Sequence, residues 1–92
     1  MGRNRMASIE EVKAALMQAA EQSANALNQI RSATEQTEQV LTRLRAVAAG
    51  TNHPKVAEAI QRAEQTRQRL AEAATLIQGS GGAAREYVSV LG

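Results

Sequence analysis

The chain has 92 residues, enough for one domain with a modest core. It has no Cys, which excludes disulfides and thiolate chemistry, and its net charge of +2 comes from 11 Lys and Arg interleaved with 9 Glu, a mixed surface rather than a field of one sign. Ala, Glu, Lys, Leu and Arg make up 46 of the 92 residues, a long-helix or coiled-coil composition, and no apolar run approaches the ~18 residues of a membrane span.

In chain order, residues 1–7 read as a frayed leader. Met1-Gly2-Arg3-Asn4-Arg5 is basic but has no apolar stretch behind it, so a cleaved signal peptide is not expected. The expected localisation is cytoplasmic, or exported without a cleavable signal. Ser8 followed by Glu11 is a capping box that starts a helix over 8–49. Glu10 and Glu11 suit the positive end of its dipole, and Arg43 and Arg45 suit the negative end. Through this helix runs an unbroken 3-4 alternation: Ile9, Val12, Leu16, Ala19, Ser23, Ala26, Ile30, Ala33, Thr37, Val40, Leu44, Val47. That spacing predicts a coiled-coil-like seam. Leu27 and Leu41 flank it, so the apolar stripe is wide.

Gly50 reads as the C-terminal cap in a left-handed conformation, opening a turn over 50–53. Asn52 or His53 then caps a second helix that begins at Pro54, where the missing N–H costs nothing. This helix is predicted over 54–78. Gly79-Ser80-Gly81-Gly82 predicts a break or kink, because each Gly costs about 1 kcal/mol inside a helix relative to Ala. A tail over 83–91 closes the chain, read as a short helix, with a strand over 87–91 as the competing reading. The fold class is therefore all-α, an antiparallel two-helix hairpin with its second arm broken or kinked near 79–82.

A short turn makes the two helices antiparallel neighbours. Matching large side chains to small ones predicts a register with Val47 against Val56, Leu44 against Ala59, Val40 against Ala63, Ala33 against Leu70, Ile30 against Ala73 and Ala26 against Ile77. Thr37 then faces Thr66 as a polar layer, and beyond the glycines Tyr87 faces Leu16 and Leu91 faces Val12. A Glu-Gln-Ser/Thr motif recurs at Glu21, Glu35 and Glu64, each placing a small hydroxyl residue on the seam.

Chemistry is hard to find. His53, the lone histidine, sits in a turn with no Asp or Cys near it, and reads as a cap. No cluster has metal-ligand spacing, and the Gly-rich segment follows no strand, so it is not a phosphate cradle. The chain reads as a non-enzyme with no cofactor, no metal and no small-molecule substrate. Arg43, Arg45, Arg62, Arg67 and Arg69 form a basic stripe that could touch phosphates, but Glu58, Glu64 and Glu72 interrupt it and no aromatic side chain stands ready to stack on bases. A nucleic-acid binder is the lowest-ranked function.

The surplus apolar surface points to association, with itself as a homo-oligomer or with another helical protein. The candidate interface residues are Ile9, Val12, Leu16, Leu27, Leu41, Ile60, Leu76, Tyr87 and Leu91. In length and shape the chain resembles the small WXG-type proteins of type VII secretion. The family's Trp-x-Gly motif lies at the turn, where this chain has Ala48-Ala49-Gly50 and keeps only the Gly. The family's export signal sets an acidic residue four positions after a Tyr, whereas Tyr87 is followed by Leu91. The resemblance implies a hairpin that pairs with a partner and is a partner or substrate of the secretion machine. The alternative is an intracellular structural, oligomerisation or adaptor protein.

Overall fold

The computed structural model describes residues 8–92, so the leader lies outside the described residues. Two helices make up the fold: α1 (Ile9–Ala48) and α2 (Pro54–Leu91), packed as an antiparallel hairpin. At about 1.5 Å per residue the 40 residues of α1 extend ~60 Å. Local sequence explains both starts. The Ser8 hydroxyl accepts from the Glu11 amide at 3.1 Å, and the Glu11 carboxylate accepts from the Ser8 amide at 3.0 Å. At the turn, His53 is the N-cap of α2, its Nδ1 accepting from the Lys55 amide at 3.1 Å, with Pro54 in the first turn. The Thr51 hydroxyl accepts from the His53 amide at 3.2 Å, which holds the capping residue in place.

Two expectations about glycine fail. Gly50 does not adopt a left-handed conformation, since the one positive φ among the described residues belongs to Gly92. Instead α1 closes through right-handed Ala49, and the Gly50 amide donates to the Val47 carbonyl at 3.0 Å. Nor is the second arm broken: α2 runs as one helix through Gly79, Gly81 and Gly82 to Leu91, so the tail is helical and not a separate element. The last turns of α2 offset the propensity cost of the glycines. Ala84, Val88 and Leu91 continue the same inward-facing row as Ile77 and Gly81, and losing the helix would strip that row from α1.

The seam is also rotated from its expected position. On α1 the inward row is Leu16, Ala20, Ser23, Leu27, Ile30, Thr34, Thr37, Leu41, Leu44 and Ala48, all buried or half-buried. On α2 it is Val56, Ile60, Ala63, Arg67, Leu70, Ala74, Ile77, Gly81, Ala84, Val88 and Leu91. Both rows keep the 3-4 alternation. Every second member matches the expected row, and the others are displaced by one residue. Leu41 is 0% exposed where Val40 is 48% exposed. Two stripes of period 3.5 share half their positions, and the one that buries Leu27 and Leu41 rather than Ala26 and Val40 removes more apolar area from water, at about 25 cal/mol per Å².

Register shifts with it. Gly81 lies against Ser23, closely enough that a Cβ added to the glycine would meet the Ser23 Cβ at 3.2 Å. The expected register set Ser23 against Ser80. Counting back from Ser23 and Gly81 puts Leu27 level with Ile77, Leu41 with Ala63 and Leu44 with Ile60. Thr37 is then level with Arg67, not Thr66, and Thr66 is exposed. Each threonine hydroxyl is satisfied by its own helix. Thr37 donates to the Ala33 carbonyl at 2.8 Å and Thr66 to the Arg62 carbonyl at 3.0 Å, so no polar layer joins them.

Candidate functional site: an uncharged side of the hairpin

With heptad letters, a falls on Ala20, Leu27, Thr34, Leu41 and Ala48 of α1 and on Ile60, Arg67, Ala74, Gly81 and Val88 of α2. In an antiparallel pair the e positions of both helices lie on one side of the seam and the g positions on the other. The two sides differ sharply in chemistry.

The e side is polar and tied by ion pairs. Its members on α1 are Met17, Ala24, Arg31, Glu38 and Arg45, and on α2 Ala57, Glu64, Ala71, Gln78 and Arg85. Arg45 reaches Glu64 across the helices at 3.0 Å. Arg67 leans out of the seam to Glu38 at 3.2 Å. These pairs are largely exposed, so each contributes at most about 1 kcal/mol, but their geometry fits only one register. A shallow groove on this side is lined by Ser23, Ala24, Leu27, Ile77, Gln78 and Arg85.

Among the described residues the g side carries no charge at its g positions, although Arg43, Lys55, Arg62 and Arg69 stand in the rows beside them. Its members on α1 are Val12, Ala19, Ala26, Ala33, Val40 and Val47, and on α2 Ala59, Thr66, Ala73, Ser80 and Tyr87. Leu76 and Val90 adjoin this side from the next row of α2. Among the described residues seven large apolar side chains are exposed: Val40, Val47 and Tyr87 are g positions, and Leu76 and Val90 lie in the adjoining row, which also carries Lys55, Arg62 and Arg69. Leu76 is 74% and Val90 77% exposed. Exposed apolar residues scattered singly need no explanation, but several gathered along neighbouring rows do.

The structure divides the nine residues expected at an interface. Leu16, Leu27, Leu41, Ile60 and Leu91 belong to the internal seam, and Leu41 is wholly enclosed there. Val12 and Tyr87 are uncharged g positions, and Leu76 lies in the adjoining row. Ile9 is exposed at the open end, where the register leaves no α2 residue opposite it. Sequence reasoning missed Val40 and Val47, which it placed in the seam, and Val90, to which it gave no role. The signal that separates them was present: wherever Leu and a smaller residue compete for adjacent seam positions, Leu goes inside.

Among the described residues no group of three or more His, Cys, Asp or Glu side chains could hold a metal ion, and no helix is long and apolar enough to cross a membrane. His53 is engaged as a cap. The geometry defines a class, a two-helix antiparallel hairpin whose g positions, among the described residues, carry no charge. Compared with family models, with curated proteins and with solved structures, the chain shows no significant match.

Proposed function

We propose that this chain is a non-catalytic hairpin that works by protein–protein association. One observation carries the reading: three of the seven exposed large apolar side chains, Val40, Val47 and Tyr87, are among eleven g positions that hold no charged residue, and Leu76 and Val90 lie in the row beside them. Its setting, in this reading, is that of a divergent WXG-like partner or substrate of type VII secretion. Support comes from the length, the hairpin shape and Gly50 at the turn. The alternative setting is an intracellular oligomerisation or adaptor protein. Recovery of the chain from culture medium, lost on deletion of the secretion ATPase, favours the first; retention in the cell favours the second.

Nucleic-acid binding draws less support. Of the basic stripe, Arg45 and Arg67 are paired across the helices, while Arg62 and Arg69 are held by Glu58 and Glu72 of their own helix at 3.1 and 3.4 Å. The carboxylates beside these arginines lower the net positive charge that the stripe offers a phosphate backbone. The test of association is a photo-crosslinking side chain placed at Val40 in living cells. The reading expects a covalent protein adduct from Val40 and none from Ala71 on the e side. Equal yields, or no adduct, contradict it.

A further inference from the structure

Both helices carry a second complete seam. The d positions, among them Leu16, Ile30 and Leu44 on α1 and Leu70, Ile77 and Leu91 on α2, face inward together with the a row. The a and g rows stand on either side of d at the same angular spacing, so d and g form an equally continuous stripe. Passing from the a/d seam to the d/g seam takes a turn of about 60° of each helix about its own axis. The register slips by one residue, from Thr37 level with Arg67 to Thr37 level with Thr66.

The two seams are closely matched. Row a adds Leu27, Leu41, Ile60 and Val88, and row g adds Val12, Val40, Val47 and Tyr87. The leucines and the isoleucine favour a/d. Against them, row a also holds two half-buried cations, Lys13 and Arg67, whereas row g holds no charge. Enclosing a charge in a seam costs stability. Electrostatics at the flanks then weighs on the side of a/d. That packing sets the e rows together, where Arg45 bonds Glu64 at 3.0 Å and Glu38 reaches Arg67 at 3.2 Å. The d/g packing parts the e rows and brings the c rows together instead. Among the described residues these hold Arg43, Lys55, Arg62 and Arg69 and no carboxylate. One seam is flanked by attraction and the other by repulsion, and salt screens both.

We propose that the hairpin has two packings, a/d as the ground state and d/g as a minor state that rising ionic strength populates. Two packings of one sequence separated by a small gap make a switch. In the d/g state Val40, Val47 and Tyr87 are enclosed, and Leu27, Leu41 and Ile60 face solvent in their place. The switch changes which apolar row the hairpin presents, and it stands whether or not the association reading holds.

Two engineered cysteine pairs read the two packings within one chain. Ser23→Cys with Gly81→Cys closes in a/d, where those residues touch, and Thr37→Cys with Thr66→Cys closes in d/g. The ratio of their closure rates, second over first, cancels the effect of salt on thiol chemistry. Raising the ionic strength from about 10 mM to about 1 M shortens the screening length from ~30 Å to ~3 Å and should raise this ratio at least about threefold. At the high salt concentration, Arg67→Leu removes the cation from the a/d seam and should lower the ratio at least about tenfold, while far-UV circular dichroism shows the helices intact. A ratio unmoved by salt, or not lowered by Arg67→Leu, overturns the second packing. So does an equal rise with salt for Thr37→Cys paired with Gln68→Cys, which neither packing brings together, because that response marks a general loosening of the hairpin.

Discussion

Gly81 of α2 rests closely on Ser23 of α1: a Cβ on the glycine would stand 3.2 Å from the Ser23 Cβ, so the two helices would have to give by a few tenths of an ångström to admit one. Gly79 and Gly82, in the same run, face open space. One glycine of the three is thus needed for the helices to approach, and the other two only weaken the helix. Gly79→Ala and Gly82→Ala should each raise stability by about 0.5–1 kcal/mol in chemical denaturation. Gly81→Ala should gain less than either or lose stability, and Gly81→Leu should lower the melting temperature outright. Three equal gains would mean that the close approach is not formed.

Among the described residues Leu41 is the one large side chain with no exposed surface. Leu41→Ala should cost about 2–5 kcal/mol, enough in so thin a core to abolish the cooperative thermal transition followed by circular dichroism. Val40→Ala, at the next residue, should cost the hairpin less than about 1 kcal/mol. The sequence-based seam predicts the reverse order.

His53 holds the start of α2 through a single ring nitrogen. His53→Ala should cost about 0.5–2 kcal/mol, read as a lower melting temperature, while His53→Asp should retain the cap because its carboxylate accepts the same amide. Equal losses for both variants would show that the imidazole acts through something other than this bond.

Arg67 is the one charged residue in the inward row of α2, level with Thr37 and held outward by Glu38. A cation there costs stability and specifies register. Arg67→Leu should raise the melting temperature. Glu38→Gln should lower it slightly, by no more than about 1 kcal/mol, with the difference fading at high salt. A lower melting temperature for Arg67→Leu would show that the guanidinium is a net stabiliser.

Much of the fold was legible from residue spacing alone. Ser8 and Glu11, the His53-Pro54 start and the unbroken alternation in α1 announce two long helices joined by a short turn. Register and rotation were less legible for a specific reason. A period of 3.5 in an Ala-rich helix admits two stripes that share Leu16, Ser23, Ile30, Thr37 and Leu44, and pairing large with small cannot choose between them when both contain several Ala. Burial of Leu27 and Leu41 decides it. Gly79-Ser80-Gly81-Gly82 read as a break because propensity is local, whereas the contact of Gly81 with Ser23 joins residues on different helices. The uncharged side was visible in part. Its α1 residues were recognised as a stripe, but assigned to α2 rather than to solvent.

The rotation that buries Leu41 also leaves Val40 and its row uncovered, so the pairing of residues across the seam decides whether the uncharged side is free. The chain has no native Cys, so an engineered pair reports on this pairing without ambiguity. Ser23→Cys with Gly81→Cys brings two Cβ atoms to a separation near that of a disulfide, about 3.5–4.5 Å. Under mild oxidation this variant should close an intramolecular bond nearly completely, read by mass spectrometry as the loss of two hydrogens within one chain. Thr37→Cys with Thr66→Cys should remain reduced or close far more slowly. If the second pair closes readily and the first does not, the seam lies where Val40 is inside, and the uncharged side does not exist.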